Sequence, residues 1–384
     1  MGPRCARRAG APSLRGLILA LAVGALFVAR DADGQPALKL APSVAFTTVF
    51  DDNVFVTPDR AEGDVIARLT SGVVMQYEQP LMTMTGHYRF DAERFSDHPS
   101  LTTVNGRQDA AVDVRSRRFR SVIFGGDATM TSTNTPSELN TVSGLAVGRA
   151  RAARVATHPS LAWDADRNTT IKLSYSYAYD RIEAGPRAHT QGASLAMERR
   201  RSARQKFAVT YAAERFVFDQ APPILSHVST LGLETTGRSS SMSVAAGVRL
   251  TDGRPSPELS LAARRALRRG ELSLGYARTK TTIVGVFGAV DTQSLVGAAT
   301  YAAGRGLRVQ AAPGISALTI DDRQAYVFHV ALEASVPIGR TLALVAGSTI
   351  NSQQGRFGDP RWIALSHRVL SVGVRVAAPT TSRE

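Results

Sequence analysis

The side chains able to do acid–base, nucleophilic or metal chemistry are scattered along this chain. Its seven histidines, His87, His98, His158, His189, His227, His329 and His367, lie far apart and show no metal-ligand spacing. His98-Pro99 and His158-Pro159 read as solvated or turn histidines near strand ends. Asp51-Asp52-Asn53 looks like the opening of a calcium loop, yet the glycine and closing glutamate of that motif are missing. Polar residues at a strand end account for it better. There is no G-x-S-x-G elbow, no H-E-x-x-H, no P-loop and no G-x-G-x-x-G opening a helix. A serine and a histidine could still meet across a folded wall, but nothing in the spacing favours such a pair. The expectation is a non-enzyme with no cofactor and no metal.

Arginine supplies nearly all the positive charge, since Lys39, Lys172, Lys206 and Lys280 are the only lysines among 46 basic residues. Clusters occur at Arg199-Arg200-Arg201 with Arg204 and Lys206, and at Arg264-Arg265 with Arg268-Arg269. A nucleic-acid interface would want such clusters on one face with aromatics between them. These fall at the ends of strand-like runs, so they read as solvated turns and no nucleic-acid partner is expected.

The first 34 residues describe a secretory signal rather than part of a fold. Arg4, Arg7, Arg8 and Arg15 form a basic start, Gly16 to Ala29 an apolar stretch, and Ala32-Asp33-Gly34 a small-residue cleavage site. The Sec route is favoured over the twin-arginine route, because the residues around Arg7-Arg8 fit the latter poorly. Cys5, the single cysteine, lies inside that signal, so residues 35–384 would carry no disulfide and no cysteine-bound metal. With 43% hydrophobic residues and a mean hydropathy of −0.08, the chain can fill a core but cannot be a polytopic helical membrane protein.

From Ala41 onward the dominant pattern alternates with period two, the mark of strands with one apolar and one polar face. In Thr170 to Asp180, Ile171, Leu173, Tyr175, Tyr177 and Tyr179 oppose Lys172, Ser174, Ser176, Ala178 and Asp180. Met82, Met84, Tyr88 and Phe90 likewise oppose His87, Arg89 and Asp91. Counting such segments gives about 18, each roughly 10–14 residues, longer than strands of soluble sheets and suited to a tilted crossing of an outer membrane. Tight links, most of them arginine-bearing, alternate with longer ones at Thr57 to Gly63, Ser96 to Val104, Thr133 to Ala152, Asp219 to Ile224, Asp252 to Pro257, Thr281 to Asp291 and Asn351 to Trp362. Many of the longer links carry acids, among them Asp97, Asp321-Asp322 and Asp359. The fold predicted is all-β, one transmembrane antiparallel up-and-down β-barrel spanning residues 35–384, with the tight turns in the periplasm. The stretch Thr131 to Ala152 is the longest irregular segment, either external or folded into the barrel.

A barrel of that size encloses more volume than its own side chains fill, so a watery lumen or a plug must occupy the middle. The wet faces put His87, Arg89, Asp113, Arg115, Arg117, Lys172, Lys206, Glu333 and Arg375 forward as lumen-lining candidates. Basic residues are in excess among them, which suits hydroxyl-rich or anionic polymers and predicts an anion preference.

Phe50-Asp51-Asp52-Asn53-Val54-Phe55, then Gly63-Asp64-Val65, then Tyr88-Arg-Phe-Asp-Ala-Glu-Arg-Phe95 give the stretch 44–120 a specific character. It resembles the opening of a family of bacterial outer-membrane β-barrels, the porin-like proteins encoded with exopolysaccharide synthesis and export systems. That resemblance implies an outer-membrane location in a Gram-negative cell, contact with outer-membrane lipid, and polysaccharide and periplasmic export components as partners. It brings no catalytic residues. The chain departs from such barrels in ending its last strand at Val376 rather than on an aromatic residue, and in holding only two tryptophans, Trp163 and Trp362. Three functions follow as expectations: an exopolysaccharide conduit, a general diffusion porin, or a plugged structural barrel whose periplasmic turns dock partners.

Overall fold

A computed structural model describes residues 38–119, 121–140, 143–320, 323–356 and 363–377. The expected signal peptide with Cys5, the acids Asp321, Asp322 and Asp359, Trp362 and the run from Pro379 to Glu384 lie outside the described residues. The elements are β1 (Lys39–Asp51), β2 (Asp64–Gln79), β3 (Met82–Phe95), β4 (Thr103–Phe119), β5 (Val122–Thr133), β6 (Ala152–Asp164), β7 (Thr169–Ile182), β8 (Arg187–Arg200) and β9 (Gln205–Phe218). They continue as β10 (Ala221–Thr236), β11 (Ser240–Thr251), β12 (Arg254–Leu267), β13 (Gly270–Thr281), β14 (Val290–Ala302), β15 (Arg308–Ile320), β16 (Arg323–Pro337), β17 (Leu342–Gly355) and β18 (Ile363–Ala377). Three single-turn 3₁₀ segments are the only helical pieces among the described residues.

Every strand pairs antiparallel with its neighbours in sequence, and β1 also pairs with β18, from Ser43 opposite Ala377 to Asp51 opposite Val369. The 18-stranded sheet is therefore closed and has no free edge. Closure fixes two rims. Odd-numbered strands run toward a rim carrying the long connections 52–63, 96–102, 134–151 and 282–289, and the opposite rim carries the tight turns.

Two of the links expected to be long are not. Residues 219–220 and 252–253 each join their strands in a two-residue turn, with the strands resuming at Ala221 and Arg254. Asp252 and Gly253 both take positive φ, 48° and 79°, the backbone that lets a tight hairpin follow the sheet's twist. Pro222, Pro223, Pro255 and Pro257 fall within those two expected links, but all sit within strands: the register shifts between Ala221 and Ile224, while Pro255 and Pro257 keep their places opposite Leu250 and Val248.

The alternation sorts side chains onto two faces. Phe46 pairs with Leu69, Leu173 with Leu161 and Leu195, and Leu195 with Tyr211, all turned outward. Leu173, Leu195 and Tyr211 are about half exposed. Such an exterior is apolar on all sides, and the buried apolar residues are not between layers but inside, near the long-loop rim. This is the architecture of a transmembrane β-barrel.

Candidate functional site: the lumen and its plug

The lumen divides into a polar lower part, toward the tight turns, and an apolar closure above. Small residues line much of the lower wall, including Ser43, Ala45 and Thr47 of β1 and Ser243, Ala245 and Gly247 of β11. Charged residues stand among them in pairs. His87 meets Asp109 at 2.7 Å, with Arg89 3.7 Å from the same carboxylate. Asp113 is opposite Asp127 on the neighbouring strand, and the two carboxylates are served by Arg115 at 3.7 Å and His158 at 2.9 Å. Lys172 and Lys206 share Glu198 at 2.6 and 3.1 Å, and Lys206 continues to Glu234 at 2.7 Å. Arg264 pairs with Glu271, and Arg375 reaches Glu333 at 3.4 Å. A recess of about 930 Å³ against β1–β4 and β16–β18 gathers His87, Arg89, Arg107, Asp109, Glu333 and Arg375.

The register thus turns His87, Arg89, Asp113, Arg115, Lys172, Lys206, Glu333 and Arg375 toward the interior. Arg117 lies beyond the irregularity at Ser116, exposed at the turn. The basic excess expected of this set does not survive. Asp109, Asp127, Glu198, Glu234 and Glu271 share the inner face, so the lower lumen is close to charge-balanced and the physical basis for an anion preference is gone. His158 also differs from its reading as a strand-end histidine: it lies in the middle of β6, facing Asp127. His98 does sit in a loop, held by Asp64 at 2.9 Å and Glu62 at 3.1 Å. Those two acceptors favour the protonated ring and raise the His98 pKa above its ordinary value.

The described parts of the stretch 134–151, residues 134–140 and 143–151, fold inward rather than out. Leu139 packs with Ala152, Ile182 and Val284 on one side of the lumen, and Leu145 packs with Leu318, Ala325 and Val327 on the other. The connection 282–289 comes in to meet it, bringing Ile283 and Val286 into the Leu145 cluster and Ala289 against Phe216 and Phe218. Val54 and Val56 of the first long loop complete the closure, Val54 against Val49 and Ile66 and Val56 against Ala146 and Leu365. All these wall residues are inward positions at the loop ends of their strands.

Side-chain amides fix the backbone of this plug, as a buried irregular segment requires. Asn140 donates through Nδ2 to the carbonyls of Leu145 and Val284, and its Oδ1 accepts from the Val284 N–H at 2.9 Å. Gln353 of β17 pairs with both backbone groups of Ala146, at 2.9 and 3.0 Å. Asn351 donates to the Gly144 carbonyl at 2.6 Å. Gly144, at φ +65°, lies so close over His329 that a Cβ would meet the ring at 3.0 Å. Beside it, His329 Nδ1 and Asn351 Oδ1 are buried with no hydrogen-bond partner among the described residues. Opposite, Arg154 binds Asp180 through two bonds of 2.6 and 2.8 Å and donates to the Leu139 carbonyl, while Thr282 donates to the same carboxylate at 3.0 Å.

A second buried charge cluster braces the wall beside the plug. Arg249, 2% exposed, bonds Glu214 and Glu258 and also reaches Ser226 and Thr279, crossing five strands. Glu214 precedes the buried Phe216 as Glu93, bound to Arg68, precedes the buried Phe95. The Ala-Glu-Arg-Phe echo in the sequence is therefore a repeated wall device: a charge anchor below, an apolar rank above.

Asp51, Asp52 and His367 lie within 4.8 Å of one another. Their atoms are already engaged, His367 with Asp51 at 2.8 Å and Asp52 with the Arg368 N–H at 2.7 Å, as strand-end polar groups.

Sequence spacing did not reveal Asn140, Asn351 or Gln353. The signal that could have done so is apolar content in supposed loops: Leu139, Leu145 and Val147 in one, Ile283, Val284 and Val286 in the other, where solvated loops carry polar residues.

Neither a protein-family model nor a curated protein matches this chain. Among solved structures, Acinetobacter baumannii OccAB4 aligns over 90% of this chain and 100% of its own, at 8% identity and a TM-score of 0.45. Pseudomonas aeruginosa OccK7 (OpdD) aligns over 90% and 99%, at 10% identity and 0.46. A bacterial polysaccharide outer membrane secretin aligns over 88% and 98%, at 12% identity and 0.35. Likenesses at this level leave the barrel to be argued from its own two faces.

Proposed function

We propose that this chain is an outer-membrane channel of a Gram-negative bacterium that supports export of an exopolysaccharide, with the segments 134–151 and 282–289 as its displaceable closure. The observation that carries the reading is the sorting of one sheet into an apolar exterior and a lower lumen of small and charge-paired residues, the arrangement of a membrane barrel with a water-filled interior. Small and polar walls present hydroxyl, carbonyl and ionic groups without deep apolar traps, which suits a hydrated polymer that must bind and leave. The polysaccharide itself rests on the resemblance carried by residues 44–120. Its partners on this reading are outer-membrane lipid, the polysaccharide and periplasmic export components at the tight-turn rim.

The near balance of lumen charge also favours a general diffusion porin, and the seated plug favours a docking barrel. One pair of measurements separates them. Deletion should lower surface polysaccharide while leaving its synthesis intact, and the purified barrel in planar bilayers should conduct weakly until the plug is cut from the chain. Unchanged polysaccharide with free passage of small solutes would establish the porin. No conductance, with or without the plug, would establish the docking barrel.

A further inference from the structure

The exterior of the barrel is not uniform along its height. At the long-loop rim, the register turns Arg94, Arg181, Arg187, Arg215 and Arg278 outward, each at or near the end of its strand, and Arg368 outward from within β18, where its carbonyl accepts the Asp52 N–H just past the end of β1. At the tight-turn rim the described register turns Arg199 and Arg265 outward. The loop-rim girdle includes acids as well: Asp291 serves Lys280 at 3.1 Å, and Glu183 and Asp219 stand beside β7 and β9. The arginines still outnumber them.

Arg181 and Arg187 concentrate the point. They are directly opposite each other on β7 and β8, both exposed, and like charges in that relation repel across a sheet. Arg187 has Asp219 at 3.8 Å, a long contact between two half-exposed side chains. The Arg181 and Arg215 side chains have no hydrogen-bond or ion-pair partner among the described residues. One rank below the pair, the Tyr179 ring lies tilted against His189 with centroids 4.7 Å apart, and Tyr177 bonds the same histidine at 3.2 Å. Beneath these come Tyr175, Leu173 and Leu195, all outward and about half exposed. Read downward, this face offers exposed guanidinium groups, then amphipathic rings, then bare hydrocarbon.

We infer that this face of β7–β9 docks a lipid whose headgroup carries phosphate esters, taken from the leaflet that surrounds the long-loop rim. Guanidinium forks match phosphate oxygens bidentately, and one phosphate held between Arg181 and Arg187 turns their repulsion into shared attraction. Acyl chains below would cover the tyrosine and leucine ranks. The inference rests on the membrane-barrel reading but not on what passes through the lumen. It also assigns the long-loop rim to the leaflet richer in phosphorylated lipid.

The test folds the full chain into phosphatidylcholine vesicles containing a bisphosphorylated glycolipid or its dephosphorylated form, and counts lipid retained per barrel by native mass spectrometry. The wild type should retain the phosphorylated lipid selectively. Arg181→Ser with Arg187→Ser should reduce retention on the order of tenfold, while Arg199→Ser with Arg265→Ser leaves it unchanged. Inorganic phosphate at millimolar concentration should not displace the lipid. Equal loss from both double variants, or equal retention of both lipids, would overturn the site, and displacement by free phosphate would reduce it to a simple anion site. Heat-modifiable gel migration, read on every sample, separates these outcomes from a chain that never inserts, which would remove the membrane reading itself.

Discussion

Leu173 and Ser174 are neighbours in the chain that face different solvents, hydrocarbon for the leucine and the lumen for the serine, which bonds Ser194 at 2.6 Å. Leu173→Arg should therefore cost about 2–4 kcal/mol of folding free energy in lipid vesicles, because its position lies well inside the apolar band. Tyr177→Arg, nearer the rim and beside His189, should cost less, and Ser174→Arg least. Urea titration of vesicle-embedded protein measures all three, and equal costs would reject the assignment of faces. Arg249 obeys a different rule. Removing it strands Glu214 and Glu258 inside the wall, so Arg249→Ala should destabilise by roughly 3–5 kcal/mol, more than Glu258→Gln, which leaves a charge pair in place. His98 adds a pH dependence. Its folded-state pKa is raised by Asp64 and Glu62, so its contribution is complete below the unfolded value near ~6.5 and fades as pH rises through the folded value. The protection of residues 96–102 against hydrogen exchange, taken relative to the intrinsic rate at each pH, should fall as pH rises above about 6.5, and His98→Gln should remove that fall.

Among the elements, the strands follow from alternation alone, because a period of two has only one way to meet water on one side and lipid on the other. The alternation read over Thr170 to Asp180 falls wholly inside β7, which runs on to Thr169 and Ile182. Connections were less so: Asp219 to Ile224 and Asp252 to Pro257 look like loops because proline is read as a breaker, yet proline is accepted where a strand is irregular or near its end. The plug was only half legible, since the length and glycines of 134–151 mark an unusual segment but its seat comes from Asn140, Asn351 and Gln353, residues far apart in sequence. Protease or an antibody applied to intact cells should fail to reach an epitope at Asn140, which is 4% exposed. Leu145→Ala should cost about 2–5 kcal/mol locally by opening a cavity in the cluster with Leu318 and Val327. In planar bilayers the same variant should raise open probability. A silent Leu145→Ala barrel would mean that the plug does not limit conduction.

At the level of the whole molecule, only one ladder joins parts of the chain that are distant in sequence. All other pairs are local hairpins, but β1 must find β18, and until it does the wall has two edges. The order of events during assembly is thereby constrained, since seventeen antiparallel contacts can form between successive strands and the eighteenth must wait for both ends of the sheet to meet. It follows that the seam is transferable. Linking the end of β18 to the start of β1 and opening the chain at Asp252-Gly253 gives a circular permutant with every ladder kept, in which β11 and β12 must now find each other last.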